Sequence, residues 1–311
     1  MVFEKAKINW GNSLPILLVH LAPLLVFVTG VHWYDWVVLV VLYFVRMFFL
    51  TGGYHRYFSH RSFQVGRLTQ FILAFGGATA AQRGPLWWAG VHRRHHAESD
   101  TFADTHSPIR GFWWSHMVWF MSATFHEVDH ERIRDLEKYP ELRWLDRFWV
   151  VPPTMLAVGC WVFGGASTLI IGFFLSTVIL YHGVFAVNSL SHLVGWRRFA
   201  TADASRNSFI LALFTGGEGF HNNHHHLQSS ARQGFYWWEI DTTYYVLKVL
   251  QWCRVVKKMM EPTRAQLVYR RLKKGVQDKG LEAFYEARRK WRILCREKKI
   301  ASSASVSSQL Q

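Results

Sequence analysis

Long uncharged apolar runs alternate along this 311-residue chain with polar stretches in which histidine and arginine crowd together. Four runs approach the roughly 20 residues that a helix needs to cross a bilayer core. They cover about 14–31, 35–51, 149–165 and 167–188. The connection inside each pair is short, so the pattern predicts two helical hairpins. Pro152 and Pro153 fall early in the third run, where a helix tolerates proline best. Three weaker apolar segments, 68–81, 113–125 and 209–215, are too short or too interrupted by Gly, Ser and His to span. They predict helices at an interface or packed beneath the polar parts.

Charge orients this scheme. No Lys or Arg occurs in 14–45 or in 148–196, so positive charge gathers on the side shared by the N-terminus, the middle and the C-terminal part. By the positive-inside rule that side is cytoplasmic. The expected protein is all-α, integral to the membrane and multi-pass, with both termini in the cytoplasm. One membrane domain would cover 1–260, its cytoplasmic parts 52–148 and 189–260. The segment 261–300 is rich in Lys and Arg with apolar residues between, as in a basic amphipathic helix on anionic headgroups or a solvated helical face. Residues 301–311 read as a disordered tail. The first run lacks a small-x-small cleavage pattern, so its retention is expected.

Composition agrees. Half of the chain is hydrophobic and 16% aromatic, yet the formal charge is +15. A membrane protein with one basic aqueous face combines these readily, and no nucleic-acid partner is expected. Cys160, Cys253 and Cys295 lie far apart without a CxxC pair, which argues against a disulfide framework.

The chemistry lies in the 17 histidines, most of which cluster. His55 and His60 form HxxxxH; His92, His95 and His96 form HxxHH; His221, His224 and His225 form a second HxxHH, followed by His226. Positions i, i+3 and i+4 share a helix face, so each HxxHH is expected to aim three imidazoles at one point. Neutral imidazole ligates iron, zinc or copper, and eight rings suit two ions rather than one. His126-Glu127-Val128-Asp129-His130 is a competing HExxH, the zinc-protease pattern. It runs straight into Glu131, Arg132, Arg134 and Asp135, a solvated charge run rather than the apolar back of a metalloprotease helix. The soluble di-iron carboxylate pattern needs two ExxH motifs, and only Glu127–His130 offers one.

At these residues the chain resembles the membrane fatty-acid desaturases of the stearoyl-CoA Δ9 type. The resemblance runs from about Thr51 to Leu250 and rests on GGYHRYFSHRSF, HRRHHAESDTFADTHSPIRGFWWSH, DLEKYPELRWLDRFW, NSLSH and GEGFHNNHHH, in family order. It implies four spans in two hairpins, capped by a cytoplasmic helical domain with a di-iron site. The implied iron ligands are His55, His60, His92, His95, His96, His192, His221, His224 and His225, with Asn188 reaching one iron through a water. His106 and His116 recur in the family as non-ligands and are expected to be structural or to line the acyl site. His182 is expected to pack, and His226 to orient a neighbour. Gly90 and Val91 stand where the animal acyl-CoA enzymes carry an Arg–Asp pair, so charged contacts to CoA do not transfer there; QRGPLWWAG looks more like the bacterial branch. No HPGG-like haem motif occurs, so a separate electron donor, a ferredoxin or a cytochrome b5 with its reductase, is implied.

An unactivated CH2–CH2 unit has no acidic proton and no leaving group, so its oxidation needs O2 reduced at a metal. The expected reaction is O2-dependent insertion of a cis double bond, at carbon 9, into an acyl-CoA or acyl-lipid chain. Trp87, Trp88, Trp113 and Trp114 are candidates for tunnel or interface walls, as is the pair Trp237-Trp238. Arg83, Arg110, Arg197 and Arg198 are candidates for a phosphate-bearing headgroup. A histidine-box hydroxylase would share the metal site, and a metal transporter would need polar residues deep in its spans, where only His20, Arg46 and His182 occur.

Overall fold

The computed structural model describes residues 8–123, 127–273 and 277–309. Helices dominate. The first, α1 (Trp10–Leu21), continues through a tighter 3-10 turn, Ala22–Leu25, and Val26–Thr29. Pro23 at the start of the tight turn removes a donor from the α-ladder there. Gly30, at φ +71°, then ends the run in a conformation that a side chain would strain.

Helix α2 (Trp33–Ser59) begins where His32 N–H donates to the Asp35 carboxylate at 2.7 Å. It is α-helical to Phe48 and π-wound over Phe49–Ser59. The wide turns press on α3 (Arg67–Ala78) through glycine: a Cβ on Gly77 would lie 2.2 Å from the Tyr54 ring. Next come α4 (Pro85–Glu98) and α5 (Pro140–Arg147). Pro85 opens α4, and the Leu86 and Trp87 amides each donate at 2.9 Å to Asp146 Oδ1 on α5. A carboxylate there meets the positive end of the helix and fixes α4, the carrier of three histidines.

Among the described residues, two helical runs are long and apolar enough to cross a membrane, Trp33–Ser59 and Val151–His192; Ser13–Thr29 is apolar but shorter. The second comprises α6 (Val151–Thr168), the π-wound Leu169–Leu175, α7 (Ser176–Ser189) and a 3-10 turn to His192. It is broken at Gly165 (φ +76°, ψ −170°), beyond which the chain folds back, so that Pro153 and Tyr181 line one cavity. His32 Nδ1 lies 3.0 Å from Ser167 Oγ, and Thr168 Oγ1 donates to Asp35. The two breaks therefore meet at one end. The histidine segments gather at the other, about 30 Å away by helical rise from Asp35 to His55.

The weaker apolar segments are helical in part, at α3, Trp114–Met121 and Phe209–Phe214. Short α8 (His221–His226) carries the last box, and α9 (Thr242–Trp252) follows. Strands β1 (Phe63–Val65) and β2 (Val256–Met259) pair antiparallel. The C-terminal α10 (Lys279–Gln309) corrects the expectation of a disordered tail: it continues through 301–309, where no Gly or Pro interrupts and Ala301 and Ala304 favour a helix. Residues 310 and 311 lie outside the described residues. The apolar side of α10 meets protein: Phe284 is buried with Ile109 and Ala204, and Trp291 packs against them. All three cysteines are free.

Candidate metal centre

Four elements deliver the histidines. His55 lies on the π-wound end of α2 and His60 just beyond it, its N–H bonded to His55 C=O at 3.2 Å. In a π-turn, residues five apart share a face, which suits HxxxxH. Helix α4 carries His92, His95 and His96, the end of the 151–192 run carries His192, and α8 carries the last three.

The rings form two adjoining groups whose ligand nitrogens lie within 4.8 Å of one another and could each hold a metal ion. One comprises His55, His60, His92, His96 and His224; the other, His95, His192, His221 and His225. In the first, the Nε2 atoms of His60 and His92 are 2.8 Å apart, those of His92 and His96 2.9 Å, and those of His224 and His55 3.0 Å. In the second, His221 Nε2 lies 3.0 Å from both His192 Nε2 and His225 Nε2. The groups touch: the His96 and His225 rings are 4.5 Å apart, centre to centre.

This corrects the expectation that each HxxHH aims three rings at one point. His92 and His96 join one group while His95 joins the other, and His221 and His225 are separated from His224 in the same way. At 3.6 residues per turn, i+4 points about 40° to one side of i and i+3 about 60° to the other. A helix placed between two centres therefore divides its box between them.

The outward nitrogens are held by carboxylates. His95 Nδ1 donates to Asp104 at 3.1 Å, His192 Nδ1 to Asp100 at 2.9 Å, His225 Nδ1 to Asp203 at 2.6 Å, and His55 Nδ1 to Glu218 at 2.5 Å. Burial pushes Asp104, Asp203 and Glu218 upward, but the imidazoles beside them, and Arg56 beside Glu218, outweigh it and hold all three below the usual carboxylate range. Burial and the crowding of other rings push His60, His92, His96, His221 and His224 well below the ordinary imidazole value. Those five rings are thus held as neutral imidazole, the form that ligates metal.

The arrangement fits metal ions on its own chemistry. With Nδ1–H donated outward, the Nε2 atoms of His95, His192 and His225 carry inward lone pairs, and His95 Nε2 is buried without a hydrogen-bond partner among the described residues. A proton on His221 Nε2 can serve one neighbour; a cation at the centre serves all of them. Such carboxylate–histidine pairs fix the tautomer and raise ligand basicity. The motif reading missed these acids. Asp104 stands nine residues after His95, a spacing that could have flagged it, whereas Asp203 comes from a loop with no local signal.

Two apolar cavities meet at the centre. One is walled by Gln82, Trp87, Trp119, Phe120 and Phe185; the other, by Met47, Leu50, Thr51 and Thr215. Trp88, His92, Val184 and Asn188 line both. Trp87 and Trp88 are therefore cavity walls. Trp113 faces outward, 70% exposed, and Trp114 lies under the Arg110 guanidinium, 4.8 Å from its ring centre. Arg110 also donates to Phe102 C=O at 2.7 Å. Arg83 lies over the Trp87 and Trp149 rings. Arg197 pairs with Asp278 and Arg198 with the buried Glu239, each at 2.6 Å, so both cations already have a carboxylate partner.

The remaining histidines have other partners. His106 stacks near His95 and lines the first cavity. His182 is bonded on both sides, to His116 at 3.0 Å and to His20 at 3.3 Å. His226 stacks on Phe199 and bonds Gln266 C=O. Of the HExxH residues, His126 lies outside the described residues; His130 is exposed and bonds Glu137.

Comparison with known proteins gives this geometry its context. The family model for fatty acid desaturases matches residues 31–250. The chain is 36% identical to the sn-2 palmitoyl-lipid 9-desaturase of Nostoc sp. (strain 36), over 82% of this chain and 91% of that protein. It is 36% identical to the acyl-CoA 5-desaturase AL21 of Anemone leveillei, over 78% and 77%, and 36% identical to the sn-1 stearoyl-lipid 9-desaturase of Anabaena variabilis, over 79% and 92%. None of these is a hydroxylase or a protease. Because the match takes in every histidine of both groups, the chain belongs to the fatty acid desaturase family.

Proposed function

We propose that the protein is an O2-dependent fatty acyl desaturase that places a cis double bond at carbon 9 of a saturated chain, carried as an acyl lipid or acyl-CoA. One observation carries this reading: two adjoining imidazole groups border apolar cavities, with His92 lining both cavities and His55, His95 and His221 lining the second. A chain threaded through both would present a CH2–CH2 unit at His92 and Asn188. His55, His60, His92, His96 and His224 would hold one iron. His95, His192, His221 and His225 would hold the other, with Asn188 contributing through a water. Bound iron supplies the reduction of O2 that removing two hydrogens from an unactivated chain requires.

The protein's own part is orientation and exclusion. Asp100, Asp104, Asp203 and Glu218 keep the imidazoles aimed inward, and Trp88 and Val184 confine the chain beside them. The bond position follows from the length of apolar wall between headgroup and His92. The topology that suits this is four spans in two hairpins, closed at Gly30 and Gly165, with termini and metal centre cytoplasmic. A separate ferredoxin or cytochrome b5 type donor delivers electrons. The relatives' names include both lipid-linked and CoA-linked substrates with carbon 9 and carbon 5 products, and the two cyanobacterial 9-desaturases favour carbon 9.

Expression in a desaturase-deficient host, with gas chromatography of total fatty acids, tests the reading. New carbon-9 monoenes are expected, and their loss in His95→Ala and His224→Ala. Hydroxylated chains, or product that survives either substitution, would overturn it.

A further inference from the structure

Away from the histidines, a cavity of about 330 Å3 lies between α1 and α6. Pro15, Ile16 and Val19 form one wall, and Pro153, Ala157 and Val158 the other. Leu14 and Leu18 on α1, and Met155 and Val158 on α6, are about half exposed, so the cavity sits between helix faces suited to hydrocarbon rather than water.

Its inner end adjoins the metal centre. Phe120 lines both this cavity and the one that reaches His92. Tyr181 on the outer side stacks on Phe185 on the inner side, ring centres 5.7 Å apart and planes 30° from parallel. Phe120, Tyr181 and Phe185 thus link the linings of the two spaces. Arg83 also lines this cavity, its guanidinium 5.6 Å from the Trp87 ring centre and 5.4 Å from that of Trp149. Its backbone is left-handed, φ +71°, a strained conformation for a non-glycine residue and one that accumulates at functional sites.

We propose that this cavity is the lateral door by which an acyl chain esterified in a membrane phospholipid reaches the metal centre, with Arg83 on the phosphate. The proposal rests on the desaturase reading and adds the substrate class. An arginine beside indole rings at the end of an apolar groove suits an anionic headgroup at the membrane surface with its chain inside. A water-borne thioester needs no groove walled by two bilayer-facing helices. The lipid-linked substrates in the names of two relatives point the same way.

The test uses the full chain in nanodiscs of phosphatidylglycerol that carries a diazirine in one acyl chain, with adducts mapped by peptide mass spectrometry after irradiation. Adducts are expected on Trp119 and Phe120, which are only 6% and 7% exposed. Ala157→Trp should lower them about tenfold, as should Val19→Trp from the opposite wall, while adducts on bilayer-facing Phe163 persist as proof of an intact, embedded protein. Arg83→Gln should lower the inner adducts as well. Adducts confined to exposed residues such as Phe163, or inner adducts indifferent to these substitutions, would overturn the proposal. Labelling needs no turnover, so a protein that desaturates nothing would sink the functional reading and leave this map standing.

Discussion

The indole of Trp88 lies stacked on the imidazole of His92, ring centres 5.0 Å apart and planes 20° from parallel. The two are one turn apart on α4, and both line the two cavities that meet at the metal centre. Trp88 thus braces a ring of the histidine cluster and walls both cavities.

Trp88→Ala should keep its fold and lose alignment. The expected loss of turnover is on the order of 100-fold, as for a reacting unit displaced by about 1 Å. The surviving product should show a spread of double-bond positions, read by mass spectrometry of derivatised monoenes. A single unchanged position at full rate would remove Trp88 from the chain's path.

The carboxylates behind the imidazoles should govern metal retention. Asp104→Asn and Asp203→Asn each remove an ionised acceptor from an Nδ1–H. Each should weaken iron binding about 10- to 100-fold in a chelator competition followed by elemental analysis. His226→Gln, whose side chain contacts Phe199 and Gln266, should leave iron content unchanged.

Arg56 is fully buried between Asp241 and Glu218, with Asp241 Oδ1 at 2.9 Å and Glu218 Oε1 at 3.1 Å. Asp241 also accepts the Tyr244 N–H at the start of α9. Asp241→Ala should therefore destabilise the protein by about 3–5 kcal/mol, because a buried cation loses a partner. Thermal unfolding of purified protein reads this directly.

Asp135 joins α2 to α4 by accepting from both Arg61 and Arg93. Partial burial raises its pKa, but those two hydrogen bonds outweigh it and hold the group below its ordinary 3.8. With the folded value depressed, the stabilisation is complete above the unfolded value and is lost as pH falls through the folded one. Asp135→Asn should therefore unfold at a lower temperature than the unaltered protein near neutrality. The gap should close below about pH 4 in a pH series of melting temperatures, following the ordinary carboxylate range.

Much of the architecture was legible because it depends on local pattern. The uncharged runs marked the apolar helices, and the short links flanking Gly30 and Gly165 marked the breaks. The helical end of the chain was not legible: a polar Ser-rich composition resembles a tail, yet nothing between Lys279 and Gln309 beyond Gly280 interrupts a helix. Arg197 and Arg198 were misleading for a related reason. A cation in sequence looks available to a headgroup, and only the fold reveals Asp278 and Glu239 beside them.

By itself the sequence marked the histidine boxes that the fold gathers, since residue type and helical spacing are properties of short segments. Tertiary structure alone decided how the rings are shared out. His95 and His96 are neighbours in the chain yet belong to different groups, because about 100° of helical rotation separates them and α4 runs between the two centres. The partners Asp100, Asp104 and Asp203 were decided in the same way, since a carboxylate reaches a distant imidazole only once packing brings their backbones together.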